Sequence, residues 1–214
     1  MTLIDKTILF VKEQLKDTEG GHDWFHIERV YKNSLLIAQN ETCDLTIVQL
    51  GALLHDIADS KFHDGDENIG PKTARSFLET EKVDEVTIQL VINIIKNISF
   101  KGGNFEKQFH SKELEIVQDA DRLDALGAIG IARTFNYGGF KSRALYNPEI
   151  APNLTMSKEE YKNSDAPTLN HFYEKLFLLK DKMNTKTGKK IALERHQYME
   201  NFLSQFYAEW EGQK

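Results

Sequence analysis

Apolar residues recur every three or four positions along most of the chain, a spacing that places them on one face of an α-helix. In the first sixteen residues, Ile4, Ile8, Val11 and Leu15 follow this spacing. Further helical segments are predicted at residues 23–39, 44–54, 83–98, 112–124 and 127–135, from Pro71 onward, and on both sides of a break at residues 184–188. The pattern therefore predicts an all-α protein.

The length of 214 residues fits a single domain with a substantial core. We expect a helical core over about residues 1–136, an irregular excursion over about 137–166 and C-terminal helices over about 167–211. The excursion collects Gly138, Gly139, Pro148 and Pro152 without any helical period, and a long irregular segment of this kind has two interpretations. It covers a cleft as a lid, or it forms the contact of a homodimer.

Charge and cysteine content narrow the classes of function. The net charge of −6 argues against binding a nucleic-acid polymer, which requires a basic surface. Cys43 is the only cysteine, so an intramolecular disulfide and a thiolate metal cluster are both excluded. The charged N-terminus is unlike a signal peptide, and no apolar stretch is long enough to span a bilayer. A cytoplasmic protein without a membrane partner is the expectation.

The adjacent residues His55 and Asp56 end an apolar helical run at residues 50–54. A buried carboxylate costs several kcal/mol unless a neighbour neutralises it, so this pair requires a partner. His26 in the second predicted helix and Asp121 in an apolar stretch near residue 120 complete a set of two histidines and two aspartates. These four residues describe a site for one divalent cation.

The chemistry of the four side chains restricts the ion. Two imidazoles and two carboxylates suit hard or borderline ions and favour Mn or Mg, while Fe, Ni and Zn are also compatible. The alternative is a structural network in which Arg29 or Arg122 neutralises the acids. Two further pairs, His22-Asp23 and His63-Asp64, lie in polar segments where a helix cap or a solvated turn is the simpler interpretation.

The arrangement resembles the H...HD...D signature of HD-domain metal-dependent phosphohydrolases, with His26, His55, Asp56 and Asp121 as the matching residues. Segments at residues 21–26, 53–59, 98–102, 119–125 and 195–210 are similar to the small bacterial YpgQ and YedJ type group, so the resemblance covers almost the whole chain. It implies an HD-domain helical bundle with additional C-terminal helices and one bound divalent metal ion. For this group it also implies hydrolysis of a (d)NTP to (d)NMP and pyrophosphate.

The resemblance also suggests roles for individual residues. HD relatives carry water-positioning acids after the HD pair, which makes Asp59 the candidate general base and Asp64 a second one, although a solvated acidic loop is an equal alternative. Asp56 would both bind the metal and steer the attacking water. The predicted substrate-binding residues, chosen to meet phosphate charge or to support a ligand, are Lys61, Lys101, Arg29, Arg122 and His22.

Three other functions are compatible with the same residues. A nucleotide phosphomonoesterase would release inorganic phosphate instead of pyrophosphate. A non-catalytic metal or nucleotide sensor would bind without turnover. A purely structural metal would make folding depend on the ion.

Overall fold

The computed structural model describes residues 1–16, 23–57, 68–98, 109–157, 160 and 163–214. Every regular element that it shows in these ranges is a helix, which confirms the all-α prediction. The helices, in chain order, are α1 (Leu3–Gln14), α2 (Trp24–Ala38), α3 (Leu45–Leu54), α4 (Ile69–Thr80), α5 (Glu85–Asn97), α6 (Lys112–Asp124), α7 (Gly127–Phe140), α8 (Asn170–Glu174), a 3-10 helix (Leu176–Lys182) and α9 (Lys186–Trp210). Among the described helices, none combines the length and hydropathy needed to cross a bilayer.

The described residues divide into two compact units, Met1–Asp121 and Arg122–Lys214, and the boundary between them falls within α6. The observed bounds of α6 coincide with the predicted segment 112–124. That the whole chain forms one domain stays a prediction.

The first unit is built around α3, which packs against α1, α2 and α5. Seven of its ten residues are buried, because almost every position in the run is apolar. Gly51 allows α5 to approach closely: a Cβ at this position would lie 3.1 Å from Ile94 Cδ1. In α5 itself, Val86 has the helical spacing of the apolar residues that follow it, but it lies in the first turn and is 71% exposed. The core therefore positions the end of α3, where the His-Asp pair lies.

Aspartate side chains cap the N-termini of three helices in this unit. Asp44, the first residue of the predicted segment 44–54, accepts hydrogen bonds from Thr46 N and Ile47 N and caps α3. Asp23 accepts from His26 N at 2.9 Å, so the helix-cap interpretation of the His22-Asp23 pair is confirmed for its aspartate. Asp84 caps α5 in the same way. These caps set where α2 and α3 begin.

The second unit contains α7, α8, the 3-10 helix and α9. Its core includes a cluster of aromatic rings in which Phe172 packs against Phe135 and Phe202, with ring centroids 6.0 and 6.2 Å apart. The amphipathic helix expected before the break is instead the short α8 followed by the 3-10 helix. The predicted break at residues 184–188 is too long, because Thr185 accepts from Gly188 N and caps α9, which begins at Lys186.

The predicted start of the irregular excursion was wrong, because α7 continues to Phe140. Gly138, which suggested a break, instead lets α7 approach Thr168 closely. Residues 141–157 contain neither helix nor strand, but backbone hydrogen bonds from Thr168 N to Ala144 O (2.8 Å) and from Leu169 N to Leu145 O (3.1 Å) attach the segment to the unit. Its role as a lid or a dimer contact stays a prediction.

His171 in α8 gives this unit a predicted pH dependence. Burial, together with the positive charges of Lys175 and Arg143, lowers the pKa of His171 from 6.5 to about 4. The unfolded chain therefore takes up the proton first, so His171 should leave stability intact above pH 6.5 and reduce it by up to about 2 kcal/mol at pH 5. Urea unfolding at pH 7.5 and pH 5 measures this decrease.

Two variants check that the decrease comes from His171. Replacing it with glutamine should reduce the loss between pH 7.5 and pH 5 by up to about 2 kcal/mol. Replacing the 62% exposed His110 with glutamine should leave the loss as it is in the wild type. The assignment fails if the two variants respond to pH in the same way.

Candidate metal centre

The first histidine of the predicted site, His26, lies in the first turn of α2 and is buried. Its backbone N–H is held by the Asp23 side chain, so the cap that starts the helix also fixes this residue. Its Nε2 faces two other members of the predicted site: His55 Nε2 lies 3.3 Å away and Asp121 Oδ1 lies 3.5 Å away. Residues from three different helical segments therefore meet at this atom.

The second histidine, His55, is the C-cap residue of α3 and is buried. Its Nδ1 lies 2.8 Å from the Ala52 carbonyl oxygen, which can only accept, so Nδ1 carries the hydrogen. Burial lowers the pKa of His55 below 6.5, against the opposing effect of the Asp121 and Asp56 charges. The ring is therefore neutral near pH 7, and its Nε2 presents a lone pair to His26 and the carboxylates.

The two aspartates lie on the more open side of the group. One donor atom from each of His26, His55 and Asp56 lies within 4.8 Å of the others. The Asp121 side chain is 38% exposed and Asp56 is half-buried, whereas the neighbouring Asp119 is fully buried. The expectation that Asp121 is a buried acid was therefore wrong. Asp119 and Asp121 face different sides of α6, because two residues correspond to 200° of helical rotation.

The donor atoms of His26, His55 and Asp56 fit a divalent cation, and Asp121 lies beside them, 3.5 Å from His26. A neutral His55 offers a nitrogen lone pair, its Nδ1 is held by a backbone carbonyl as metal-binding histidines usually are, and two carboxylates supply negative charge. Nitrogen and oxygen donors of this kind suit Mn, Mg and related ions. The half-exposed carboxylates leave the group accessible to solvent, which a site that binds a substrate needs.

Five predicted site residues lie outside the described residues: His22, Asp59, Lys61, Asp64 and Lys101. Their roles stay predictions. His63 lies in the same part of the sequence, so nothing follows about the His63-Asp64 pair.

The structure describes both predicted arginines. Arg29 is half-buried on α2, one turn after His26 and on the same stripe. Arg122 directs Nη1 at the backbone carbonyl of Lys182, at 2.6 Å. Phosphate binding by either arginine stays a prediction, and Arg29 has the more suitable position.

Two buried polar residues of α6 have no role in the sequence-based prediction. Gln118, buried and one turn before Asp121, donates to the carbonyl oxygen of Asn97. Further along, the buried Asp124 pairs with Arg133. Both are polar residues within apolar helical patterns, and that position was the available signal. A sequence alone does not identify the partner that each one finds in space.

An all-helical protein that brings two histidines and two aspartates together at a helix end has the features of an HD-type metal-dependent hydrolase. Residues 24–126 match the HD domain family. YpgQ of Bacillus subtilis (strain 168) is 38% identical over 92% of this chain and 88% of its own length. The chain therefore belongs to the HD domain family.

Solved structures agree with this assignment. An HD-superfamily hydrolase from Bacillus thuringiensis superimposes with a TM-score of 0.78 at 45% identity, covering 97% of this chain and 96% of its own. The structure of Bacillus subtilis YpgQ in complex with ADP has a TM-score of 0.77 at 34% identity and covers 96% and 94% of the two chains. With these relatives, the chain is a metal-dependent phosphohydrolase of the HD type.

Proposed function

We propose that this phosphohydrolase acts on nucleoside triphosphates and cleaves the α,β-anhydride, releasing a (d)NMP and pyrophosphate. The observation that carries the proposal is the convergence of His26, His55 and Asp56 donor atoms within 4.8 Å, with Asp121 beside His26. The ADP complex of the related YpgQ supports a nucleotide as the substrate class. The net charge of −6 favours a small substrate over a nucleic-acid polymer.

The proposed metal ligands are His26, His55, Asp56 and Asp121, with Mn or Mg as the favoured ion. A divalent cation at such a site polarises a phosphoryl oxygen and lowers the pKa of a water molecule. His55 contributes a fixed nitrogen, because its other ring nitrogen is bonded to Ala52 O. To Asp56, half-buried at the same helix end, we assign the second role of accepting a hydrogen bond from the attacking water and orienting it.

The remaining proton and charge requirements fall to other predicted residues. Asp59 is the proposed general base and Asp64 a second candidate, because acid–base help needs a carboxylate within hydrogen-bond reach of the water. For the phosphates we favour Arg29. It is half-buried on α2 between His26, which faces Asp121, and Asn33, which donates to Ala120 O at 3.4 Å. Lys61, Lys101, Arg122 and His22 stay candidates.

Two proposals concern the surroundings of the enzyme. A homodimer through the excursion predicted over about residues 137–166 is one, and a cytoplasmic location, expected from the sequence, is the other. Size-exclusion chromatography with light scattering tests the first, and fractionation of cells tests the second.

A product-resolved nucleotide screen tests the proposed function. The purified full chain is incubated with each dNTP and NTP in Mn or Mg, and the products are separated so that phosphate and pyrophosphate are distinguished. We expect (d)NMP and pyrophosphate in equal amounts, and an identically purified Asp121→Ala protein should produce neither.

Inorganic phosphate without pyrophosphate would indicate a phosphomonoesterase. Saturable binding without turnover would indicate a sensor. Chelation distinguishes a structural metal from a catalytic one. Only a structural metal predicts that the protein loses helicity when the ion is removed.

A further inference from the structure

Two amide side chains attach α6 to neighbouring helices of the first unit. Gln118 Nε2 donates to the Asn97 carbonyl oxygen at 2.7 Å, and Asn33 Nδ2 donates to the Ala120 carbonyl oxygen at 3.4 Å. Gln118 is only 7% exposed. The first bond connects α6 to the end of α5, and the second connects it to α2.

Both bonds lie next to metal ligands. Gln118 precedes Asp121 by three residues, so the two side chains project from neighbouring positions on α6. Ala120 is adjacent to Asp121 in sequence. Asn33 follows His26 by seven residues, about two helical turns, and therefore lies on the same stripe of α2. Asn33 thus attaches the helix that carries Asp121 to the helix that carries His26, and Gln118 attaches it to the end of α5.

The Asn97 carbonyl explains why a glutamine is placed at position 118. Asn97 is the last residue of α5, and a carbonyl in the final turn of a helix has no N–H donor within the helix itself. Gln118 supplies that donor from α6. The hydrogen bond therefore caps α5 and fixes the rotation of α6 about its own axis.

We propose that Gln118 and Asn33 are positioning residues of the metal centre, acting through α6 on Asp121. The Asp121 side chain is 38% exposed and receives limited packing restraint, so the orientation of α6 sets the 3.5 Å separation between Asp121 Oδ1 and His26 Nε2. The inference rests on the metal site of the proposed function, and it does not depend on which nucleotide is hydrolysed. Its consequence is a metal affinity that depends on residues outside the ligand set.

The test is a Mn²⁺ titration of the full chain, with unbound Mn²⁺ measured by electron paramagnetic resonance. Gln118→Met keeps the length of the side chain and removes the amide donor. We expect Mn²⁺ affinity to fall about tenfold, the size of effect typical for groups that orient metal ligands. Turnover should recover at saturating Mn²⁺, because the ligands themselves are intact. Asn33→Leu should show a smaller decrease, because its hydrogen bond is longer.

The chain offers a control in Gln205, whose Nε2 donates to Glu209 Oε1 at 2.7 Å. This bond lies within α9 of the second unit, whereas all four proposed ligands belong to the first unit. Gln205→Met removes the same kind of donor without breaking a bond between two helices of the metal site, and its Mn²⁺ affinity should equal that of the wild type. Equal affinities for Gln118→Met and Gln205→Met would overturn the inference. If Gln118→Met does not fold, Asn33→Leu decides by the same comparison with Gln205→Met.

The titration separates this inference from the proposed function, since it requires no nucleotide. A wild-type protein that binds Mn²⁺ but hydrolyses no nucleotide would overturn the proposed function alone, provided that Gln118→Met still weakens binding. A wild-type protein that hydrolyses dNTPs, with Mn²⁺ affinity unchanged in Gln118→Met and Asn33→Leu, would overturn the inference alone. Failure of the wild type to bind Mn²⁺ would also overturn the inference.

Discussion

Replacing Asp121 with alanine should abolish metal binding and hydrolysis together. Its Oδ1 lies 3.5 Å from His26 Nε2, and it supplies one of the two carboxylate charges of the site. Loss of a group that only orients a ligand typically lowers metal affinity by roughly 10- to 100-fold, so loss of a ligand should lower it by more. The fold should survive, because the Asp121 side chain is 38% exposed and its removal leaves no deep cavity.

Isothermal titration with Mn²⁺, nucleotide turnover and thermal melting of the metal-free protein measure the three parts of this expectation. The matched control is Asp84→Ala, another aspartate of the first unit, whose carboxylate accepts from Thr87 N at 3.0 Å and caps α5. Asp84→Ala should lower stability through loss of the helix cap and leave Mn²⁺ binding intact. An Asp121→Ala protein with wild-type turnover would remove Asp121 from the ligand set.

The coupled loss matters because it links the ion to the chemistry. If the cation only stabilised the fold, the Asp121→Ala protein would melt at a lower temperature than the metal-loaded wild type. Below that temperature it would stay active. If the cation takes part in hydrolysis, activity should disappear while the melting temperature of the metal-free protein stays close to that of the wild type. The same variant therefore distinguishes a catalytic metal from a structural one.

Much of the first unit could be predicted because its helices carry strong local signals. The predicted limits of α6 coincide with Lys112–Asp124, and Asp44 was identifiable as the cap of α3. The meeting of His26, His55 and Asp56 was also predictable, because a polar pair at the end of a buried helix needs a partner. Burial and capping act locally, so they leave a readable pattern in the sequence.

Properties set by tertiary contacts could not be predicted in this way. Val86 has the right spacing for the core but lies in the first turn of α5, where the helix is open to solvent. The exposure of Asp121, against the burial of Asp119, depends on which helices surround α6. The partner of Gln118 is 21 residues away in sequence, and no local pattern specifies that distance. Which of the candidate lysine and arginine side chains binds phosphate also depends on tertiary contacts and could not be predicted from a local pattern.

The role of the adjacent glycines of α7, Gly138 and Gly139, likewise depends on tertiary contacts. Replacing them gives the second large expected effect, a change in protein stability. Gly138→Ala should destabilise the protein by about 1–3 kcal/mol, because the new methyl group would overlap Thr168 Oγ1 and lie 2.7 Å from Thr168 Cγ2. Thr168 is buried, so its side chain has little room to move away. Gly139→Ala should instead stabilise the protein by about 0.5–1 kcal/mol, since alanine favours a helix and a Cβ there meets nothing within 4 Å.

Urea unfolding of the two single variants measures opposite changes at neighbouring positions of one helix, so general effects of a Gly→Ala replacement cancel in the comparison. A double-mutant cycle with Thr168→Ala identifies the cause. Once Thr168 has lost Oγ1 and Cγ2, the penalty for Gly138→Ala should shrink by about 0.5–3 kcal/mol, the usual coupling between residues in contact. If Gly138→Ala is neutral, or if Thr168→Ala leaves its penalty unchanged, the close approach of α7 to Thr168 does not explain this glycine. A confirmed coupling would show that Gly138 is required inside α7 for packing, although in the sequence it resembles a helix break.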